Sequence, residues 1–357
     1  MDFAVLNRDI APPCAVAMAA AQGVWDDLAK PLGSLGLLEE SIVKIAGLTA
    51  NADVRLSRRA VLIFCADNGV VAENIAQAGS EITALVTENI VSGRSSVNRM
   101  AKIAHADVIT VDMGMNRPVA ASGLLNRRVA DGTGNIARGP AMSRAEAVRA
   151  IQSGIELVKD CRRQGYDIIA GGEMGIGNTT TASAMTSVLL NMPAVEVTGR
   201  GAGLSDDGLK HKVDVIEQAI ALNQPDANDA LDVLAKLGGF DIAAMTGTFL
   251  GGALCRLPVL IDGFISAVAA LTAVRLCPSA CCAIMASHMS AEPAARLLLE
   301  ALDVKPLITA GLRLGEGTGA VAALPLLDMA LSLYHGMSTF ADIGMAAYTP
   351  QYGYRKC

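Results

Sequence analysis

The chain has 357 residues, of which 52% are hydrophobic and 18% charged, so it can bury a core in one large or two unequal domains and is not expected to be disordered. Its formal net charge is −6, whereas nucleic-acid-binding proteins concentrate Lys and Arg, so no nucleic-acid partner is expected. Its eight cysteines show no C-x-x-C spacing, and we predict no metal site and no cofactor.

Both ends of the chain differ from its middle. Residues 1–54 and 319–357 indicate mainly helix and irregular chain, without a strand of the central type. We expect these two segments to pack together as a small helical domain formed by both chain termini. Residues 55–318 then form the large domain.

Neither export nor membrane insertion is expected from the sequence. Acidic residues, Asp2 and Asp9, stand where a signal peptide needs a net positive start, which favours the cytoplasm. The longest uncharged run, from Met174 to Val195, contains Asn178, several threonines and Pro193. We therefore interpret it as a loop followed by a buried helix, and predict no membrane partner.

Short apolar runs alternate with longer helical patterns in the middle of the chain. This alternation predicts an α/β fold with a doubly wound parallel sheet. The runs expected to form strands are residues 60–64, 107–111, 167–170, 241–245, 257–261 and 282–286. Ligands of open α/β sheets bind at the carboxyl ends of the strands. The polar or glycine-rich residues expected at that edge are Asp67-Asn68-Gly69, Asp112, Gly171-Gly172-Glu173, Asp262-Gly263 and Ser287-His288.

The segment DIIAGGEMGIGNTTT, residues 167–181, joins an apolar run to a glycine-rich loop and the start of a helix. Free N–H groups at a helix start, together with the helix dipole, can bind a phosphate, and Gly175 and Gly177 let the backbone come close. The segment lacks the Gly-Lys-Ser/Thr of a P-loop and the third glycine of a dinucleotide fingerprint. An ordinary turn before a capped helix is the alternative.

A second glycine-rich segment, LRLGEGTGA, covers residues 312–320. Gly315 and Gly317 flank Glu316 and would expose its carboxylate to a ligand. The alternative is that Glu316 only favours the positive end of the following helix.

These segments resemble the nicotinate-nucleotide–dimethylbenzimidazole phosphoribosyltransferase family over nearly the whole chain. The resemblance rests on KPLGSLG from Lys30, GGEMGIGNTT from Gly171, GRGAG from Gly199, LPVLIDGFI from Leu257, SHMSAE from Ser287 and RLGEGTGA from Arg313. It implies a Rossmann-like sheet with a small helical domain, assembled as a dimer, either a homodimer or a pair with a paralogous subunit. The implied reaction transfers phosphoribose from nicotinate mononucleotide to an aromatic acceptor in cobamide biosynthesis.

The resemblance also implies roles for individual residues. Glu316 would be the general base, and Glu173 a second essential carboxylate beside the ribose. The implied nucleotide-binding residues are Met174, Gly175, Ile176, Gly177, Asn178, Thr179, Gly203, Lys212, Ser290, Leu314 and Gly315. The implied acceptor-binding residues are Asp67, Asn68, Ser80 and Glu88. His288, at a strand end, is a candidate for lining the nucleotide site.

The sequence departs from the family pattern on the acceptor side. Asn68 follows Asp67 where family members commonly have His, and the stretch from Val86 to Arg94 is about four residues shorter than usual. These changes spare the phosphate loop, so they favour a different acceptor, such as a phenol (p-cresol), over a different donor. Benzimidazoles and purines are the alternative acceptors. A catalytically silent subunit of a heteromeric enzyme and a nicotinamide-dependent oxidoreductase are the competing hypotheses.

Overall fold

The computed structural model describes residues 1–349. Its centre is a six-stranded sheet in the order β3-β2-β1-β4-β5-β6, in which all neighbouring strands are parallel. The strands are β1 (Arg59–Ala66), β2 (Ala106–Gly114), β3 (Leu125–Asn126), β4 (Ile168–Met174), β5 (Val259–Ile261) and β6 (Ile284–Ala286). The predicted doubly wound parallel α/β fold is thus confirmed.

Helices cover both faces of the sheet. They are α1 (Phe3–Asp9), α2 (Ala15–Asp27), α3 (Leu37–Thr49), α4 (Glu81–Val91), α5 (Ser96–Ile103), α6 (Arg144–Arg163), α7 (Asn178–Leu190), α8 (Ala194–Val197), α9 (Asp206–Asn223), α10 (Ala230–Leu237), α11 (Phe240–Cys255), α12 (Phe264–Leu276), α13 (Ala295–Ala301) and α14 (Thr318–Gly336). Two 3₁₀ helices span Gly69–Glu73 and Pro278–Ala283. Within residues 1–349, no helix combines the length and apolar character needed to cross a bilayer.

The two sheet faces are buried in different apolar clusters. Successive side chains of a strand point to opposite faces, so Leu62 and Phe64 of β1 join one cluster, while Val61 and Ile63 join the other. Helices α6, α7, α10, α11 and α12 supply the first cluster, and α2, α3, α5 and α14 supply the second. Both faces of β1 are therefore dry, which explains its unbroken apolar run.

The two ends of the chain meet on the second face. The Trp25 ring packs edge-on against Tyr334 with their centroids 5.0 Å apart, and Leu28 forms a bridge with Thr339. These contacts join α2 to α14 and to the segment that follows it. The division into a domain of residues 1–54 and 319–357 and one of residues 55–318 stays a prediction, and its last residues, 350–357, lie outside the described residues.

One predicted strand is wrong. Residues 241–245 lie in α11, a helix that is almost wholly buried between α6 and α12. A short apolar run cannot be assigned to a strand or to a buried helix by periodicity alone, and here the run extends well beyond strand length. The short strand β3 was not predicted, because its two residues are exposed and carry no apolar pattern.

Candidate active site

A cleft of about 340 Å³ opens at the carboxyl edge of the sheet. Its walls come from the residues that follow β4, β5 and β6 and from the loop before α14, as expected for an open α/β sheet. The predicted site residues that line it are Glu173, Met174, Gly175, Ile176, Asn178, Thr179, Ser290, Leu314, Gly315 and Glu316. His288 and Asp262 line it too. The two glycine-rich segments of the sequence thus meet across one opening.

The loop between β4 and α7 presents a helix start to the cleft. Gly177 precedes α7 with a φ of 92°, a left-handed conformation that favours glycine, and among residues 1–349 no side chain caps this helix. A Cβ on Gly175 would lie 2.4 Å from the carbonyl oxygen of Ala66, so only glycine fits there. The N–H groups of Asn178 and Thr180 bond to the carbonyl oxygens of Gly175 and Gly177, so the helix dipole is the feature that suits an anion here.

Glu173 is at the cleft end of β4 and is partly buried. Its Oε2 atom accepts a hydrogen bond from Nδ2 of Asn178, the first residue of α7. Burial, and next the charge of Asp241, raise the pKa of Glu173 to about 8. At pH 7 this carboxyl group is therefore largely protonated in the free protein.

Glu316 lies on a turn of three consecutive left-handed residues, with φ values of 87° at Gly315, 57° at Glu316 and 78° at Gly317. A left-handed conformation is uncommon for a glutamate and marks a locally strained turn. Oε2 of Glu316 is buried without a hydrogen-bond partner among the described residues, and burial raises the pKa of its carboxyl group. The side chain is half-buried at the cleft, and its Oε2 is an unsatisfied buried acceptor.

Two features hold this turn in place. Asp262, which follows β5 and is 3% exposed, accepts N–H bonds from Gly317 (3.1 Å), Gly319 (2.7 Å) and Ala320 (3.0 Å) at the start of α14. The turn also rests on β4 at Gly172, where a Cβ would lie 2.7 Å from the nitrogen of Gly317. The glycine and the aspartate therefore bring Glu316 close to the strand that carries Glu173.

Lys212 reaches the loop from α9 although it does not line the cleft itself. The side chain is 1% exposed, and its Nζ donates to Oγ1 of Thr179 (2.8 Å) and to the carbonyl oxygen of Gly199 (3.1 Å). Burial lowers the pKa of Lys212 to about 8. A buried cation thus lies directly behind a residue of the predicted phosphate loop.

Gly177 and Gly203, two further predicted nucleotide-binding residues, lie outside the cleft lining. Gly177 is the N-cap residue of α7, so it shapes the loop without lining the cleft. Gly203 lines a neighbouring cavity of about 460 Å³, which shares Gly201 and Ala202 with the cleft.

The four predicted acceptor-binding residues do not line the cleft. Asp67 is buried and accepts the N–H of Asn116 (2.7 Å), while buried Asn68 donates to the carbonyl oxygen of Ile176 (3.4 Å). Ser80 stands at the start of α4, and Glu88 pairs with Arg117 at 3.5 Å. Their acceptor role stays a prediction.

Sequence reasoning missed Ile82 and Val86, which α4 presents to the cleft. These two residues are four positions apart and so share one helix face, a spacing that is readable beside Ser80 once the segment is assigned to a helix. Asp241 was also missed, because its segment was assigned to a strand. Together with Ile176 and Leu314, the two α4 residues give the cleft an apolar wall.

Comparison with known proteins identifies the family and the fold. The family described as "Phosphoribosyltransferase" matches residues 10–345. A nicotinate-nucleotide–dimethylbenzimidazole phosphoribosyltransferase from Acetivibrio thermocellus is 48% identical over 334 residues, which cover 94% of this chain and 95% of the relative. One of the same name from Ruminiclostridium cellulolyticum is 46% identical and covers 93% of this chain and 95% of the relative.

The chain belongs to the nicotinate-nucleotide–dimethylbenzimidazole phosphoribosyltransferase family. It is accordingly an enzyme, a pentosyltransferase, and the resemblance noted in the sequence is confirmed. A crystal structure described as CobT from Thermus thermophilus superposes with a TM-score of 0.88 at 38% identity, covering 93% of this chain and 99% of that chain. This chain and that structure thus share the fold over nearly their whole lengths.

Proposed function

We propose that this chain transfers 5-phosphoribose from nicotinate mononucleotide to an aromatic acceptor, giving nicotinate and an α-riboside phosphate for cobamide biosynthesis. The observation that carries the proposal is that Glu173, Glu316 and the uncapped loop of α7 line one cleft. The names of the two relatives, which specify nicotinate nucleotide and dimethylbenzimidazole, agree with it. We expect the enzyme to act in the cytoplasm as a homodimer or with a paralogous subunit.

The donor's phosphate is expected on the loop from Met174 to Thr179. The start of α7 has no side-chain cap, and the positive end of the helix dipole there attracts an anion. Lys212 lies behind Thr179 and contributes a positive charge at neutral pH, since its lowered pKa is still about 8. Ser290, which lines the cleft, adds a hydroxyl.

Glu316 is the proposed general base. Attack by the acceptor on C1′ of the ribose requires removal of the acceptor's proton. For a phenol, a water held by Glu316 would carry that proton to the carboxylate. The raised pKa of Glu316 makes its carboxylate a better proton acceptor, and its Oε2 has no hydrogen-bond partner among the described residues. A positioned general base supplies about 10²- to 10⁴-fold in rate.

Glu173 is the proposed counter-charge for the ribose. Departure of nicotinate develops positive charge on the sugar, which an adjacent carboxylate stabilises. In the free protein Glu173 is mostly neutral at pH 7 because its pKa is about 8. The pyridinium cation of the bound donor favours the ionised form and lowers this pKa, so donor binding itself generates the charge that the reaction uses.

The acceptor is expected against the apolar wall of Ile82, Val86, Ile176 and Leu314. Such a wall fits a flat aromatic ring and supplies no hydrogen-bonding side chain of its own. Dimethylbenzimidazole is the acceptor in the names of the relatives. A phenol such as p-cresol fits the same wall, and Glu88, engaged with Arg117, does not enter the cleft to select against it.

The test is to incubate the purified chain with nicotinate mononucleotide and, separately, dimethylbenzimidazole, p-cresol, phenol and adenine. We expect nicotinate release in step with one α-riboside phosphate, and a loss of about 10²-fold or more in Glu316→Gln. The exposed Glu217, changed to Gln, is the matched control and should keep full activity. Absence of nicotinate release from the isolated chain with every acceptor would favour the silent-subunit hypothesis. Products from benzimidazoles alone would eliminate the phenol.

A further inference from the structure

Asp241 is a buried carboxylate behind the cleft that the proposed reaction does not use. It occupies the first turn of α11, has 0% exposure and does not line the cleft. A buried carboxylate is costly unless it is hydrogen-bonded, so its contacts should reveal why it is present.

Those contacts lead to Glu173 through one amide group. Nδ2 of Asn178 donates to Oε2 of Glu173 and, at 3.0 Å, to Oδ2 of Asp241. An amide nitrogen carries two hydrogens, so each carboxyl group receives one. The other oxygen of Asp241, Oδ1, accepts the N–H of Ile242 at 2.9 Å. Asp241 therefore fixes the plane of the Asn178 amide, and that amide fixes one oxygen of Glu173.

The surroundings are shaped to admit this aspartate. A Cβ on Gly239 would lie 2.4 Å from Oδ1 of Asp241, and a Cβ on Gly175 would lie 3.1 Å from Oδ2. Gly175 belongs to the phosphate loop, so the same glycine borders the donor and the carboxylate. Both oxygens of Asp241 therefore occupy space that a larger residue at position 239 or 175 would restrict.

The charged neighbours that contribute most to the pKa shifts of this pair are acidic. The charge of Asp67, which follows β1, raises the pKa of Asp241, and the charge of Asp262, which follows β5, raises the pKa of Glu173. The charges of Glu173 and Asp241 both raise the pKa of the buried Cys65 thiol in β1. Within residues 1–349, neither Glu173 nor Asp241 has a Lys, Arg or His at ion-pair distance. The amide of Asn178 is thus the group that links the two carboxyl groups.

We propose that Asp241 is a positioning residue for phosphoribosyl transfer, which orients the amide of Asn178 and through it the carboxyl group of Glu173 at the cleft. The inference rests on the proposed function, because it concerns the group that faces the ribose there. Asp241 itself touches no substrate in this arrangement. A purely structural role, as a polar start to α11, is the alternative that the test must separate.

The decisive variant is Asp241→Asn, which keeps the size of the side chain, removes its charge and replaces one acceptor by a donor. That donor would face either Nδ2 of Asn178 or the N–H of Ile242, so one of the two bonds is lost. The matched control is Thr248→Val on the same helix, since Thr248 is equally buried and its hydroxyl bonds only within α11, to the carbonyl oxygen of Ala244.

We expect Asp241→Asn to lower kcat by about 10- to 100-fold, with KM for nicotinate mononucleotide within about 3-fold of the wild type. The acidic limb of the pH profile of kcat/KM should also move to lower pH, because the negative charge of Asp241 is one of the causes that raise the pKa of Glu173. Thr248→Val should keep the wild-type kcat and pH profile. A purely structural role of Asp241 would lower the stability of Asp241→Asn and move neither the pH profile nor the kcat of the folded variant.

A wild-type kcat and an unmoved profile in folded Asp241→Asn would overturn the inference and leave the proposed function intact. Failure of the wild-type chain to release nicotinate would instead overturn the proposed function, and with it any role for Asp241 in transfer. If Asp241→Asn is not recovered folded, Asp241→Ser removes the charge with a smaller side chain and is read against the same expectations.

Discussion

The N–H of Gly319 donates to Oδ1 of Asp262 at 2.7 Å, which ties the start of α14 to the end of β5. Through this contact, and the bonds of Asp262 to Gly317 and Ala320, one buried aspartate sets where the strained turn at Glu316 lies. The position of the proposed general base thus depends on a residue that follows β5.

Replacing Asp262 by Ala should reduce both stability and activity. It removes the acceptor of three backbone N–H groups at a buried helix start, which costs about 2 kcal/mol in the free energy of unfolding. With the turn at Glu316 released, kcat should fall by about 10²-fold. Urea unfolding and nicotinate release measure the two effects.

Asp229→Ala is the matched control for Asp262→Ala. Asp229 accepts the N–H groups of Leu231 and Asp232, both at 3.1 Å, at the start of α10, away from the cleft lining. It should lose stability by a similar mechanism but keep the wild-type kcat. Equal loss of activity in both variants would mean that Asp262 acts only through overall stability.

Two adjacent glycines in β4 provide a sharper test of the turn. A Cβ on Gly172 would lie 2.6 Å from Cδ1 of Ile63 and 2.7 Å from the nitrogen of Gly317, whereas a Cβ on Gly171 would lie no closer than 3.7 Å to any such atom. Gly172→Ala should therefore push the turn at Glu316 outwards, costing about 1–3 kcal/mol and most of the activity. Gly171→Ala should be nearly neutral in both measurements. The reverse order would show that the turn does not rest on β4.

The raised pKa of Glu173 predicts how activity depends on pH. If the ionised form is needed, kcat/KM should rise with pH and level off above about 8, because kcat/KM reports the free enzyme. The limb in kcat should lie at lower pH, since the pyridinium of the bound donor favours ionisation. Identical limbs in kcat and kcat/KM would contradict the proposed interaction between Glu173 and the donor.

The same group should make stability pH-dependent. The folded-state pKa of about 8 lies above the ordinary value of 4.5, so the folded protein keeps a proton that the unfolded chain has lost between these values. The contribution of Glu173 is complete below the lower value and is lost as the pH rises through the higher one. In urea unfolding, the free energy of unfolding of the wild type minus that of Glu173→Gln should therefore be lower at about pH 9 than at about pH 5.

Lys212 should act on donor binding more than on the chemical step. Lys212→Met removes a buried cation behind Thr179, and the loss of a charge-assisted interaction with phosphate should raise KM for nicotinate mononucleotide by about 10- to 100-fold. The exposed neighbour Lys210, changed to Met, is the control and should leave KM unchanged. Equal effects in the two variants would place the phosphate elsewhere.

The sequence predicts several residues that line the cleft, but not the buried contacts behind them. Parallel strands end at one edge, so the polar residues at the ends of β1, β2, β4, β5 and β6 were expected near each other. Glu173, Asp262 and His288 do line one cleft, whereas Asp67, Asn68 and Asp112 do not. The contact between Lys212 and Thr179 joins residues 33 positions apart, and no local pattern encodes such a distance.

The missed residues have a common cause. The run after Phe240 is apolar on every side, because α11 is buried all round, and such a helix has no amphipathic period to reveal it. Asp241 was therefore assigned to a strand and its bond to Asn178 was not anticipated. The apolar face of α4 was missed for a related reason, because Ile82 and Val86 share a face only if their segment is assigned to a helix.

The most direct test of the central claim is a crystal structure of this enzyme with nicotinate mononucleotide bound. We predict that the phosphate lies within hydrogen-bonding distance of the backbone N–H groups between Gly175 and Thr179, and that C1′ of the ribose faces the carboxylate of Glu316. A phosphate bound away from the start of α7, or a ribose turned away from both Glu173 and Glu316, would contradict it.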